Sequence, residues 1–173
     1  MIFSIKASLR ALLCPKHRIN CQRKKWLWLL NELEQRGQQR HEAGVFLLGF
    51  EYRGRMQVAA EVFYDELDAR AYSTGVCVLT GESFAKLWEI CRRKKLTVIA
   101  DIHTHPGEAY QSSSDQTNPM VARTGHIAII IPNYAKRPLN REEIGIYEYC
   151  GNHNWTDHSH PHSTSFLYTG FWS

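Results

Sequence analysis

Apolar residues recur at helical spacing over "KKWLWLLNELEQR", residues 24 to 36, where Trp26, Leu29, Leu30 and Leu33 share one face and Gly37 offers a stop. Beyond it the period shortens. The stretch "GVFLLGFEYRGRMQVAAEVFY" reads as two strands, residues 44 to 52 and 56 to 64, turning at Arg53 and Gly54. "GVCVLT" reads as a short strand running into a second helix, in which Phe84, Leu87, Trp88 and Cys91 fall on one face. Thr80 or Ser83 is that helix's candidate N-cap. Then comes "LTVIADIHTH", a nearly continuous apolar run of the kind found in a central strand covered on both faces. After a loop and a short helix, "HIAIIIP" and "EEIGIYEYC" read as two more strands, and "FLYTGF" as a short final one.

Strands interrupted by a few helices predict an α/β (α+β) fold, a mixed sheet with helices packed on it. With no internal repeat or low-complexity linker, a single domain is expected over residues 1–173, its core at about 24–150. A chain of 173 residues can bury a real core without staples. Composition changes this picture little: 43% apolar and 22% charged residues describe an ordinary globule. No run approaches the roughly eighteen apolar residues of a membrane span, so no membrane partner is expected. The N-terminal "MIFSIKASLRALLCPKHR" is broken by Lys6, Ser8 and Arg10 and lacks a small-residue cleavage site; it is expected to fold as a strand or short helix. Five cysteines without a CxxC argue for reduced thiols and a cytoplasmic protein. Cys14, His17 and Cys21 have no obvious fourth ligand and are read as free side chains rather than a zinc site. The net charge of +4 comes from short knots, "QRKK" and "CRRKK", beside helices, with no basic face interleaved with aromatics; nucleic acid is not an expected partner.

The chemistry gathers where the central strand ends. Side chains two apart on an extended strand point the same way, so His103 and His105 can aim two imidazoles at one ion. A catalytic zinc takes three protein ligands, and Asp115, ten residues after His105, is close enough to fold back as the third. Two histidines and a carboxylate suit zinc, and non-haem iron(II) uses a similar set. Hydrolysis at such a centre needs a general base and a group that steadies the oxyanion. Ser112, three before Asp115, offers a hydroxyl for the second role; spacing alone does not say which glutamate is the base. The serine and aspartate also read as a capping box, and capping and catalysis can coexist. A second cluster in "HSHPH", His158, His160 and His162, is followed by no acid and led by no apolar strand, and reads as a polar loop. His126 reads as structural, and Trp26 and Trp28 as packing residues.

The order H-x-H-P, short loop, S-x-x-D resembles the signature of the JAB1/MPN/Mov34 metalloenzymes, the JAMM proteases. That family carries a glutamate far upstream, just ahead of a hydrophobic strand, and "HEAGVFLLG" is closely similar. The resemblance makes Glu42 the base, His103, His105 and Asp115 the zinc ligands, and Ser112 the oxyanion contact. It implies a mixed curved sheet flanked by helices, of cytidine-deaminase-like architecture, over roughly residues 24 to 150. The loop Pro106 to Gln111 is shorter than the common family spacing, which leaves Ser113 as the alternative hydroxyl. The chain looks like the compact prokaryotic JAB proteins encoded beside ubiquitin-like modifiers and their activating and conjugating enzymes, often in antiphage operons. The implied reaction is zinc-dependent hydrolysis of the peptide or isopeptide bond after a ubiquitin-like protein's C-terminal glycine. The substrate tail would lie extended, adding a strand to an edge. A JAB hydrolase of sulfur-carrier or phage-tail proteins, and a non-catalytic MPN scaffold, are the alternatives.

Overall fold

Most of this pattern is realised in the computed structural model, which describes residues 17–160 and 166–170. The expected N-terminal element, Cys14 and His162 lie outside these residues. The first helix, α1, runs Arg23–Gly37 and buries Trp26, Leu29, Leu30 and Leu33. Its stop is Gln38, which takes the left-handed conformation (φ 51°) and donates its N–H to the Glu34 carbonyl. Trp28 is half exposed and meets Phe63 edge-on.

The strands are β1 (Ile19–Asn20), β2 (Gly44–Tyr52), β3 (Arg55–Phe63), β4 (Thr97–Thr104), β5 (Ile127–Ile131), β6 (Gly145–Gly151), β7 (Asn154–Asp157) and β8 (Leu167–Tyr168). They form one mixed eight-stranded sheet in the order β7-β6-β5-β4-β2-β3-β1-β8. The helices after α1 are α2 (Tyr64–Leu67), α3 (Gly81–Lys94) and α4 (Ser113–Thr117). The β2–β3 hairpin turns where expected, because Arg53 (φ 51°) and Gly54 (φ 74°) both adopt the left-handed geometry that a two-residue hairpin loop demands.

Two expectations are corrected. "GVCVLT" forms no strand: the Val78 amide bonds to the Ala71 carbonyl and the Cys77 amide to the Glu42 side chain, so neither is left for a sheet neighbour. On α3 the buried stripe is Ser83, Leu87 and Cys91, while Trp88 stays 46% exposed and stacks on Phe84. Thr80 caps this helix reciprocally with Ser83.

The sheet is covered on both faces. Leu29 and Leu33 of α1 pack against Val45, Leu47, Ala100, Ile102 and Ile129. Leu87 and Cys91 of α3 pack on the other face, against Phe46, Leu48 and Val98. Between β2 and β4 the register slips so that Leu47 faces Ala100 and Leu48 faces Val98, leaving Ile99 as the extra residue. That bulge puts Val98 on the α3 face while Ala100 and Ile102 stay on the α1 face. The sheet curves until its ends meet: Phe166, just before β8, stacks on His158 just after β7 (4.2 Å), and Arg18 reaches Glu148 of β6 (2.6 Å). No described helix is long and apolar enough to cross a membrane.

Candidate metal centre

The strand β4 is hydrogen-bonded on both sides, antiparallel to β2 and parallel to β5, so its backbone is fixed where the histidines leave it. His103 and His105 point the same way, their Nε2 atoms 3.1 Å apart. His105 lies just past the strand; its N–H bonds to the Ile131 carbonyl (2.9 Å) and its carbonyl accepts from Tyr134 (2.8 Å). A parallel neighbour requires a crossover, since the chain leaving the end of β4 must return to the start of β5. The returning segment carries α4, and brings Asp115 Oδ1 to 3.5 Å from His103 Nε2 and Oδ2 to 3.3 Å from His105 Nε2.

These three donors fit a small cation. Their ligand atoms lie within 4.8 Å of one another, and both histidines are buried. A tetrahedral ion with bonds of about 2.0–2.1 Å to nitrogen and oxygen needs donors about 3.3–3.4 Å apart. The two Nε2 atoms stand 3.1 Å apart, and each faces a different oxygen of Asp115, Oδ1 at 3.5 Å from His103 and Oδ2 at 3.3 Å from His105. Among the described residues no other group of three converges in this way.

Asp115 is locked by the turn that begins α4. The Ser112 N–H and hydroxyl both donate to Asp115 Oδ2 (2.7 Å each), and the Asp115 N–H donates back to Ser112 Oγ (3.1 Å). The S-x-x-D pattern is therefore a capping box that also fixes the direction of the Asp115 carboxylate. Burial opposes charge on Asp115, but its bond to His105, the charge of His103 and the two Ser112 bonds hold it well below the usual carboxylate range. Ser112 is the cap, and Ser113 is the first residue of the helix.

Behind His103 lies a second layer. Asp101, on the same strand and 1% exposed, places Oδ2 3.4 Å from His103 Nδ1 and Oδ1 2.7 Å from His126 Nε2. The Tyr64 hydroxyl donates to Oδ2 at 3.2 Å. Burial pushes the Asp101 carboxyl up, yet the bonds to His103 and His126 outweigh it and bring its pKa to about 2. His103 is depressed by burial but raised more by Asp101, Asp115 and Glu42. Tyr64 packs on Phe46 (ring centroids 4.7 Å), and a side-chain carbon at Gly44 would run into its ring. Arg36 of α1 grips Asp65 with bonds of 2.5 and 2.6 Å and so steadies α2, which carries Tyr64. Sequence reasoning passed over both Asp101 and Tyr64. The signal for Asp101 was one acid inside an apolar strand, two residues before a histidine and so on its face.

Glu42 stands one residue ahead of a backbone clasp on the ligand strand. The Ala43 amide donates to the Thr104 hydroxyl (2.9 Å), the Thr104 amide donates to the Ala43 carbonyl (2.9 Å), and Gly44 is in register with His103. Its carboxylate accepts the Cys77 amide (3.3 Å) and its own amide donates to the Gly75 carbonyl (3.0 Å), so residues 75 to 77 brace it. Its charge reaches His103.

The remaining candidates are placed elsewhere. His17 stacks on Tyr168 (4.9 Å), and burial pushes the Cys21 thiol up to about 12. His158 bonds to Glu148 (3.0 Å), and His160 is exposed. Cys21, Cys77, Cys91 and Cys150 are free thiols.

No protein-family model matches the chain. Over 122 residues it is 30% identical to a protein of Sinorhizobium fredii described as probable metalloprotease y4jG, the match covering 70% of this chain and 75% of that one. Among solved structures, a protein of Desulfitobacterium hafniense superposes with a TM-score of 0.60 at 13% identity, over 88% of this chain and 94% of the other, a likeness of fold alone. A Salinibacter ruber protein gives a weaker likeness, TM-score 0.48 at 18% identity over 75% and 84% of the two chains.

Proposed function

Because this chain belongs to the family of the Sinorhizobium fredii probable metalloprotease, we propose that it is a zinc peptidase of the JAB/MPN type, acting after the C-terminal glycine of a ubiquitin-like protein. The observation that carries the reading is the meeting of His103, His105 and Asp115, each with a ligand atom within 4.8 Å of the other two. These three residues would hold the metal. When bound, zinc supplies Lewis acidity and lowers the pKa of a water towards about 7.

The residues of the chain do the rest. Glu42 takes a proton from the attacking water and later hands it to the leaving amine, so a C–O bond forms as the C–N bond breaks and the proton is conserved. Ser112 donates to the carbonyl oxygen as it gains charge. Its hydroxyl hydrogen rests on Asp115 and must turn from it to serve that role. Exposed Val76 and Val78, on the segment bracing Glu42, offer apolar surface to an extended substrate tail. Activating and conjugating enzymes of the modifier are the proposed partners and the cytoplasm the proposed compartment, in keeping with the four free thiols among the described residues.

Metal content by plasma mass spectrometry, on wild type and the His103→Ala/His105→Ala double variant, tests the centre. One zinc per wild-type chain and none in the variant is expected, together with wild-type release of a fluorophore from a peptide ending in Gly-Gly. Equal zinc in both proteins would overturn the site. Zinc bound at the site without cleavage of that peptide, or of a ubiquitin-like fusion, would leave a scaffold.

A further inference from the structure

Asp101 neither belongs to the three donors nor carries the proton of the proposed reaction, yet it is buried in the middle of a sheet. A carboxylate so placed is unfavourable by several kcal/mol unless its partners compensate. Its partners are His126 Nε2 (2.7 Å), the Tyr64 hydroxyl (3.2 Å) and His103 Nδ1 (3.4 Å). We propose that Asp101, clamped by His126 and Tyr64, is the positioning residue of the centre: it accepts a hydrogen bond from His103 Nδ1–H, which keeps the proton on that nitrogen and leaves the Nε2 lone pair aimed at the metal. This rests on the metallopeptidase reading above.

A neutral imidazole carries one proton, and the partner of one nitrogen decides which nitrogen has it. An ionised carboxylate can only accept, so a ring facing Asp101 through Nδ1 must be protonated there. The clamp fixes which carboxylate oxygen does this. His126 holds Oδ1, which turns Oδ2 towards His103, and Tyr64 fixes Oδ2 from the side.

The only side-chain hydrogen bond of His126 among the described residues is the one to Asp101. The residue is fully buried, and its Nδ1 has no hydrogen-bond partner among the described residues. Its backbone is held at both ends, the N–H on the Arg123 carbonyl and the carbonyl on the Tyr149 N–H (2.9 Å each). Outer carboxylates of this kind raise the basicity of a ligand and fix its ring.

Long-range nitrogen–proton NMR spectra of the metal-free protein at alkaline pH read the His103 tautomer without metal or turnover. The wild type should show Nδ1–H. In Asp101→Asn the amide can donate to Nδ1, and the proton should move to Nε2. Zinc affinity, measured against a chromogenic chelator, should fall roughly 10–100-fold in that variant. Melting curves of the metal-free proteins report folding. Should Asp101→Asn fail to fold, Tyr64→Phe removes one clamp with little change of shape and should weaken zinc several-fold. An unchanged tautomer with unchanged zinc affinity, in Asp101→Asn or failing that in Tyr64→Phe, would overturn the proposal and leave the metallopeptidase reading standing. A wild type that binds no zinc would sink both.

Discussion

On the α1 face of the sheet, Leu29, Leu33, Val45, Leu47, Ile102 and Ile129 pack without an acid or a base among them. On the α3 face the same strands bury Asp101 and His103 near Phe46 and Tyr64. Ile102 and His103 are adjacent in the chain and do unlike work. The apolar face needs only volume and shape, and its stability scales with area removed from water. The polar face needs direction: each donor must meet its acceptor, and a lost partner leaves a buried charge behind. One face supplies the stability that lets the other hold side chains in an unfavourable setting.

Breaking the faces separately should give separable defects. The largest effect is expected for Glu42→Gln, whose amide oxygen still accepts from Cys77. Turnover of the Gly-Gly peptide should fall by roughly 10²–10⁴-fold with zinc content and melting temperature unchanged, as fits a lost general base. Leu33→Ala strikes the opposite face and should cost about 2–5 kcal/mol in denaturant unfolding, while the folded protein still takes up one zinc. Gly44→Ala tests where the faces communicate, since the new methyl would overlap the Tyr64 ring. It should destabilise by about 1–3 kcal/mol and, unlike Leu33→Ala, also weaken zinc as Tyr64 is displaced from Asp101. Equal zinc affinity in those two variants would argue that the faces are independent.

The smallest effect belongs to the seam where the sheet ends meet. Burial acts against charge on Glu148, but hydrogen bonds from Arg18 and His158 outweigh it and keep its pKa below the usual glutamate range. Its contribution is therefore present above the unfolded-state pKa and disappears as pH falls through the lower folded-state value. Glu148→Gln should cost under about 1 kcal/mol near neutrality. The melting curves of variant and wild type should converge in acid.

Long periodic elements are legible in the sequence. α1, the β2–β3 hairpin, α3 and β4 each repeat an apolar pattern often enough to name their type. β1, β7 and α2 span two to four residues, too few to hold a period. β1 exists because the distant β3 and β8 flank it, β7 because it hairpins back on β6, and α2 is a single turn closed by its own Asp68-to-Tyr64 bond. "GVCVLT" misleads because its alternating valines are exposed, with no partner strand to bury them. Within the site, the pairing of His103 with His105 follows from strand geometry, and Asp115 from spacing. Asp101 is harder to see: its neighbours spell a buried strand, and only the His126 and Tyr64 contacts, from 25 and 37 residues away, reveal what it does there.

The capping box on Asp115 bears on kinetics as well as geometry. His103 stands on a strand bonded on both sides and His105 just past its end, whereas Asp115 rides a five-residue helix reached through a loop. An ion engaged by the histidines meets Asp115 as a tethered reactant, at an effective concentration on the order of millimolar or more for so short a span. Escape then begins with the tether, because Ser112 must release the carboxylate before it can swing away. On the proposed reading, the residence time of a bound metal should depend on residues 106 to 111, a loop that can be lengthened or shortened without altering His103, His105, Ser112 or Asp115.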